Sequence, residues 1–195
     1  MCNTVETSHA FCKGFFEPSV AAGFRPSLLL LTRDTRTTAL SHRRKNAVPR
    51  RTDAGFAHLI APSDDVYLPV ADPASLSDYQ LCYWYCLEIQ LRQTLYTRIA
   101  EKLDMKVVRM ETSELSDMDR LVEVVTPLGL ADATSARAAL ARAGVEKAHN
   151  ATPKAKQTAP DFDLETEGAA LLARLGPPAT VADVQVRIDR ARSFL

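Results

Sequence analysis

The stretch "SDYQLCYWYCLEIQLRQTLYTRIAEKLDM", residues 77–105, holds the only tryptophan, four of the five tyrosines and two of the four cysteines of the chain. Set at about 100° per residue, Leu81, Trp84, Tyr85, Ile89, Leu91, Leu95, Tyr96, Ile99 and Leu103 share one broad face. Gln90, Gln93, Thr97, Glu101 and Asp104 lie opposite. An apolar face this wide predicts the central strut of a helical domain. Ser77 or Ser75 suits the cap, and Asp78 sits where the helix dipole favours a negative charge.

Two features of the stretch do not follow from packing alone. Glu88 and Arg92 interrupt the apolar face four residues apart, in the order that lets a carboxylate reach a guanidinium. A buried pair specifies no reaction without a further acid, base or nucleophile, so its expected role is structural. Tyr83 and Cys86 fall on the otherwise polar side, and exposed aromatic residues are enriched where partners dock. The sequence therefore nominates Tyr83, Trp84, Tyr85, Cys86, Glu88, Arg92, Tyr96 and Ile99 as a packing and interaction surface.

Downstream, steps of three and four residues continue through Val107, Met110, Met118, Leu121, Val125 and Leu128. Either one long helix runs to Thr126 or two helices meet near "ETSELSD", residues 111–117, and the second is expected because Ser116 and Asp119 resemble a capping box. A short strand at "MKVVRM", residues 105–110, is the alternative. "LADATSARAALARAG", residues 130–144, predicts a helix capped by Asp132 and stopped by Gly144. "HNATPKAKQTAP" has the composition of a linker. Two helices then follow, one opened by Asp161 or Asp163, the other by a Thr180 to Asp183 capping box.

Upstream, residues 1–62 carry nine basic and four acidic side chains, a net +5, while the whole chain is neutral, so the remainder carries −5. This segment is rich in Arg, Ser and Thr, is punctuated by prolines, and shows no sustained apolar period. It reads as disordered. It suits a mitochondrial or plastid transit peptide; the other reading is a basic arm centred on "HRRK" and "PRR" that touches nucleic acid or serves as a nuclear address. No apolar run approaches the roughly 20 residues that a membrane-spanning helix needs.

The expected fold is mainly α: a small bundle of about four or five helices behind a disordered basic segment. Its divisions are residues 1–62, a core at 63–148, a linker at 149–160, and a helical hairpin at 161–195 packing on the core. Residues 119–148, "DRLVEVVTPLGLADATSARAALARAGVEKA", resemble the first two helices of a ubiquitin-associated domain. "PLGL" stands where that family has its Met-Gly-Phe-like loop, and no binding residues carry over.

Phosphate loops, nucleophile elbows and paired zinc motifs are missing from the sequence, and His9, His42, His58 and His149 are scattered. Cys2, Cys12, Cys82 and Cys86 read as reduced thiols, which fits a reducing compartment. No cofactor, metal or catalytic residue is expected. The functional expectation is a non-catalytic accessory or assembly subunit that binds other protein subunits, in an organelle or otherwise in the cytoplasm or nucleus. The alternative is a nucleic-acid-associated protein.

Overall fold

A computed structural model describes residues 11–145 and 160–194. The protein is mainly helical. Among the described residues it has eight α-helices: α1 (Phe16–Ala21), α2 (Thr35–Arg44), α3 (Asp53–His58), α4 (Asp78–Lys102), α5 (Met118–Val125), α6 (Ala133–Ala143), α7 (Leu164–Leu172) and α8 (Val181–Arg192). Two short strands, β1 (Leu28–Thr32) and β2 (Val107–Glu111), complete it. The count exceeds the four or five helices expected. The chain divides into two units.

The larger unit comprises residues 11–25, 34–103 and 160–194 of the described chain, with α4 at its centre. That helix starts where the sequence says it should. Ser77 Oγ accepts the Gln80 N–H at 3.2 Å and Gln80 Oε1 accepts the Ser77 N–H at 3.0 Å, so two donors of the first turn are satisfied reciprocally. From Tyr79 to Cys86 every α4 side chain is buried, which makes this half of the helix a core rod with no solvent face. Helices α2, α7 and α8 pack against α4, and α1 packs chiefly on α8.

Residues 11–62 overturn the expectation of disorder; residues 1–10 lie outside the described chain. Phe16, Val20, Ala39, Leu40, Val48, Ile60 and Ala61 are core residues. The physical reason is element length. Each of α1, α2 and α3 spans only six to ten residues and buries a few side chains, too few to print a period on the sequence, and each is held by its neighbours. Close approach adds a sequence demand at Gly55 in α3, where a Cβ would stand 1.7 Å from the Val48 carbonyl oxygen.

Helix α7 opens on Asp163, whose carboxylate accepts from the Glu165 and Thr166 N–H groups. Helix α8 opens on Thr180, whose N–H and hydroxyl both donate to Asp183 Oδ2 at 2.7 Å. The chain between them is stitched to residues 67–71: Gly176 N–H donates to Pro69 O, Ala179 N–H to Tyr67 O, and Ala71 N–H to Arg174 O. Of the expected linker, only Pro160 is described.

The smaller unit comprises residues 26–33 and 104–145 of the described chain. Neither one long helix nor two abutting helices occupies residues 103–117. Helix α4 ends at Lys102 with Leu103 as its cap, Asp104 takes a left-handed φ of 55°, and β2 pairs in parallel with β1, Leu28 opposite Val107 and Thr32 opposite Glu111. The β-branched Val107 and Val108 favour the strand, and the three- and four-residue spacing across it is coincidental. A 3-10 turn at Thr112–Ser116 follows, and α5 is capped by Asp117, which accepts from the Asp119 and Arg120 N–H groups, instead of by Ser116.

Because Leu28 N–H donates to Lys106 O, Val107, Arg109 and Glu111 turn their backbone groups away from β1. Side chains close that edge: Arg120 donates to Arg109 O at 3.2 Å and Glu114 accepts the Glu111 N–H at 2.6 Å. Met110, Leu121 and Val124 form the small core, flanked by Val108, Leu128, Leu140 and Val145. Helix α6 begins at Asp132, which accepts from Ser135 N–H, and stops at Gly144 with φ 67°, both as read from the sequence.

Candidate functional site

All eight nominated residues are buried. Tyr83 and Cys86, expected at an exposed edge, are covered because α2 and α7 pack on the flank of α4 that the helical wheel assigned to solvent. The structure does not gather the eight into one surface. Tyr83 stacks near Tyr79 and its ring lies where a Cβ at the buried Gly168 of α7 would meet it at 3.4 Å, while Tyr85 meets the edge of His42 and lies under the Lys13 ammonium at 5.4 Å.

Four of them, Trp84, Glu88, Arg92 and Tyr96, do converge. Glu88, with no exposed surface, and Arg92, 2% exposed, form an ion pair with Oε1 and Nε 2.6 Å apart. Glu88 also accepts the backbone N–H of Tyr67 at 3.0 and 3.1 Å and that of Leu68 at 2.7 Å. Arg92 Nη2 donates to Asp65 O at 2.6 Å and Nη1 to the Tyr96 hydroxyl at 3.4 Å. Trp84 Nε1 donates to Leu68 O at 2.9 Å. The pair therefore fastens the non-helical segment 65–68 to α4 and leaves neither ion without partners.

Around this pair stand groups that no window of the sequence singles out. Glu17 of α1 is buried, and its Oε1 accepts the hydroxyls of Tyr67 and Tyr96, each at 2.6 Å. Glu17 Oε2 is buried without a hydrogen-bond partner, as is the Tyr79 hydroxyl elsewhere on α4. Phe16 stacks on Tyr96 with ring centroids 4.2 Å apart. Arg187 of α8 lies 3.7 Å over the Tyr67 ring, pairs with Asp65 at 2.6 Å and donates to Val66 O at 2.9 Å. Burial first, then the Glu17 carboxylate, holds both phenols well above their ordinary range. Burial works against the Arg92 cation, but Tyr96, Glu88 and Glu17 outweigh it and hold the guanidinium charged.

Chemically this cluster is a clamp. Each oxygen of Glu88 and each terminal nitrogen of Arg92 is engaged by the fold. The described concavities lie elsewhere: an open groove of about 390 Å³ along α6, lined by Ala133, Thr134, Arg137, Ala138 and Ala141, and a smaller one of about 220 Å³ at Arg43, Ser77, Asp78, Tyr79, Phe162 and Glu167. Among the described residues no group of three or more His, Cys, Asp or Glu side chains is placed to hold a metal ion. No helix there is long and apolar enough to cross a membrane.

The chain matches no protein-family model, no curated protein and no solved structure. The resemblance of residues 119–148 to a ubiquitin-associated domain thus rests on those residues alone.

Proposed function

We propose that the protein is a non-catalytic helical subunit that works by binding other proteins. The observation that carries this reading is the complete internal use of Glu88 and Arg92, the two ionised side chains set in the α4 face. A catalytic pocket needs polar groups convergent on open space, and this cluster meets backbone and tyrosine instead. Because the α4 face is covered within the fold, a partner has to dock on other apolar side chains. Phe15 at 63%, Phe24 at 67%, Phe56 at 61% and Phe194 at 83% exposure are the exposed phenylalanines of the larger unit.

The nucleic-acid reading loses support from the same structure. Four arginines of the basic segment are taken by acids: Arg36 by Glu165, Arg43 by Asp161, Arg50 by Asp64 and Arg51 by Asp78. An organellar address rests on the Arg- and Ser-rich composition alone, and cleavage near residue 62 would remove α1, β1, α2 and α3.

Affinity purification of the tagged protein from its own cells, with sequencing of the mature amino terminus, tests the proposal. Protein partners retained at high salt, and lost from Phe24→Asp or Phe56→Asp variants of unchanged circular dichroism, are the expected result. A protein that purifies alone, or that elutes with nucleic acid as salt rises, would refute it. A mature terminus beyond Phe16 would contradict a structural role for α1.

A further inference from the structure

We propose that α1 and α8 form one clasp that closes on Tyr67 and opens as a unit, so that an event at either helix is transmitted to the other. Helix α1 has six residues and cannot persist on its own. Its chief neighbour is α8, and its single buried carboxyl side chain, Glu17, ends on the hydroxyls of Tyr67 and Tyr96. Helix α8 reaches the same tyrosine from its other end. Val184 and Ile188 are buried, and Arg187 between them lies on the Tyr67 ring while holding Asp65 and the Val66 carbonyl.

Tyr67 is thereby held by three helices: its hydroxyl by α1, its ring by Arg187 of α8 and, at 4.8 Å, by Arg92 of α4, its backbone N–H by Glu88 of α4. Losing α8 strips α1 of its chief packing neighbour and removes the nearer of the two cations on the Tyr67 ring, whose hydroxyl Glu17 receives. Losing Glu17 leaves the buried Tyr67 hydroxyl with no carboxylate to receive it, and loosens the ring that Arg187 and Arg92 face. Helix α4 is fastened independently by Glu88 and Arg92, so the clasp opens without unseating the central rod.

Hydrogen exchange on the full-length protein tests this, comparing wild type with Arg187→Ala, Glu17→Gln and the double variant. Arg187→Ala is expected to speed exchange of the α1 amides as well as those of α8, by about 10- to 100-fold, the scale of one cation–π contact plus one charged hydrogen bond. Glu17→Gln should speed both helices likewise, and the α4 amides from Cys82 to Cys86 should stay protected. The double variant should exchange little faster than either single one, since the first change already opens the unit. Variants that each loosen only their own helix, or that add fully, overturn the proposal. If Arg187→Ala does not fold, wild-type exchange in graded urea decides the matter: α1 and α8 must merge on one opening curve below that of α4, and two separate curves refute the clasp.

Discussion

Glu88 is the residue on which the larger unit turns, because it is an ion buried without exposure and answered on every side. The net worth of such a pair is small, since desolvation offsets attraction, but losing one partner leaves the other charge stranded. Glu88→Gln is therefore expected to cost about 3–5 kcal/mol in urea unfolding. Glu123→Gln, which breaks a surface pair with Arg120, should cost under about 1 kcal/mol. Equal costs would mean that residues 65–68 are not held as described. The cysteines give a second test at this scale. Burial pushes the thiols of Cys12, Cys82 and Cys86 up to about 12, so at pH 8 their thiolate content is a small fraction of that of an open cysteine. Native protein should leave all three unmodified by a thiolate-selective disulfide reagent on the timescale on which guanidinium-unfolded protein reacts completely. The Glu88–Arg92 pair was legible in the sequence, because two charges inside an apolar stripe conflict with their surroundings. Glu17, Tyr67 and Arg187 were not, because each is ordinary in its own window and becomes a cluster only when segments far apart in sequence meet.

At the scale of elements, legibility followed length and capping chemistry. Helix α4 is long, capped by Ser77 and strongly patterned, and α6, α7 and α8 each announce themselves through Asp132, Asp163 and the Thr180–Asp183 pair. The polar flank of α4 was misread because the wheel assigns solvent to Thr97, Cys86 and Tyr83, while α2 and α7 supply core there. At residues 105–110 the sequence leaves helix and strand both open, because five strand residues can imitate a helical spacing when their flanks are helical, and the structure takes the strand. The short elements of residues 11–62 left no period at all, although together they close the core. A protein starting at Ser63 should consequently lose cooperative melting, since it lacks Phe16, Val20, Ala39, Leu40 and Val48 from the interior. Retention of the full-length melting midpoint would show that α1 to α3 are accessories. Trp84→Ala is expected to cost about 3–5 kcal/mol, as truncation of a fully buried aromatic side chain does, with the loss read as a lower urea midpoint.

For the whole molecule, the uneven charge of the sequence turns out to be complementarity within the fold: the arginines of α2 and of the loop before α3 meet acids at Asp64, Asp78, Asp161 and Glu165. Exposed pairs of this kind contribute about 0–1 kcal/mol each, so they align segments more than they stabilise them. What sets the pH response is the set of thiols and phenols that the fold buries, Cys12 in part and the rest fully. In the unfolded chain thiols ionise near 9.0 and phenols near 10.0, whereas in the fold Cys12, Cys82, Cys86 and Tyr79 are raised to about 12, and Tyr67, Tyr85 and Tyr96 are raised further still. Above about pH 9 the native state therefore keeps protons that the unfolded state releases, and stability falls as pH rises. Lys13 acts in the opposite sense. Burial lowers its ammonium from 10.5 to about 8, so the native state gives up that proton first and gains stability between those values. One lysine is set against three thiols and four phenols. The urea midpoint is expected to stay nearly level from pH 7 to about 8.5, then to fall steeply between about 9 and 12. Replacing Cys86 by Ala should make that fall shallower, because one proton fewer separates the two states. A midpoint that kept rising to pH 11 would mean that the thiols and phenols reach solvent and that the core around α4 is open.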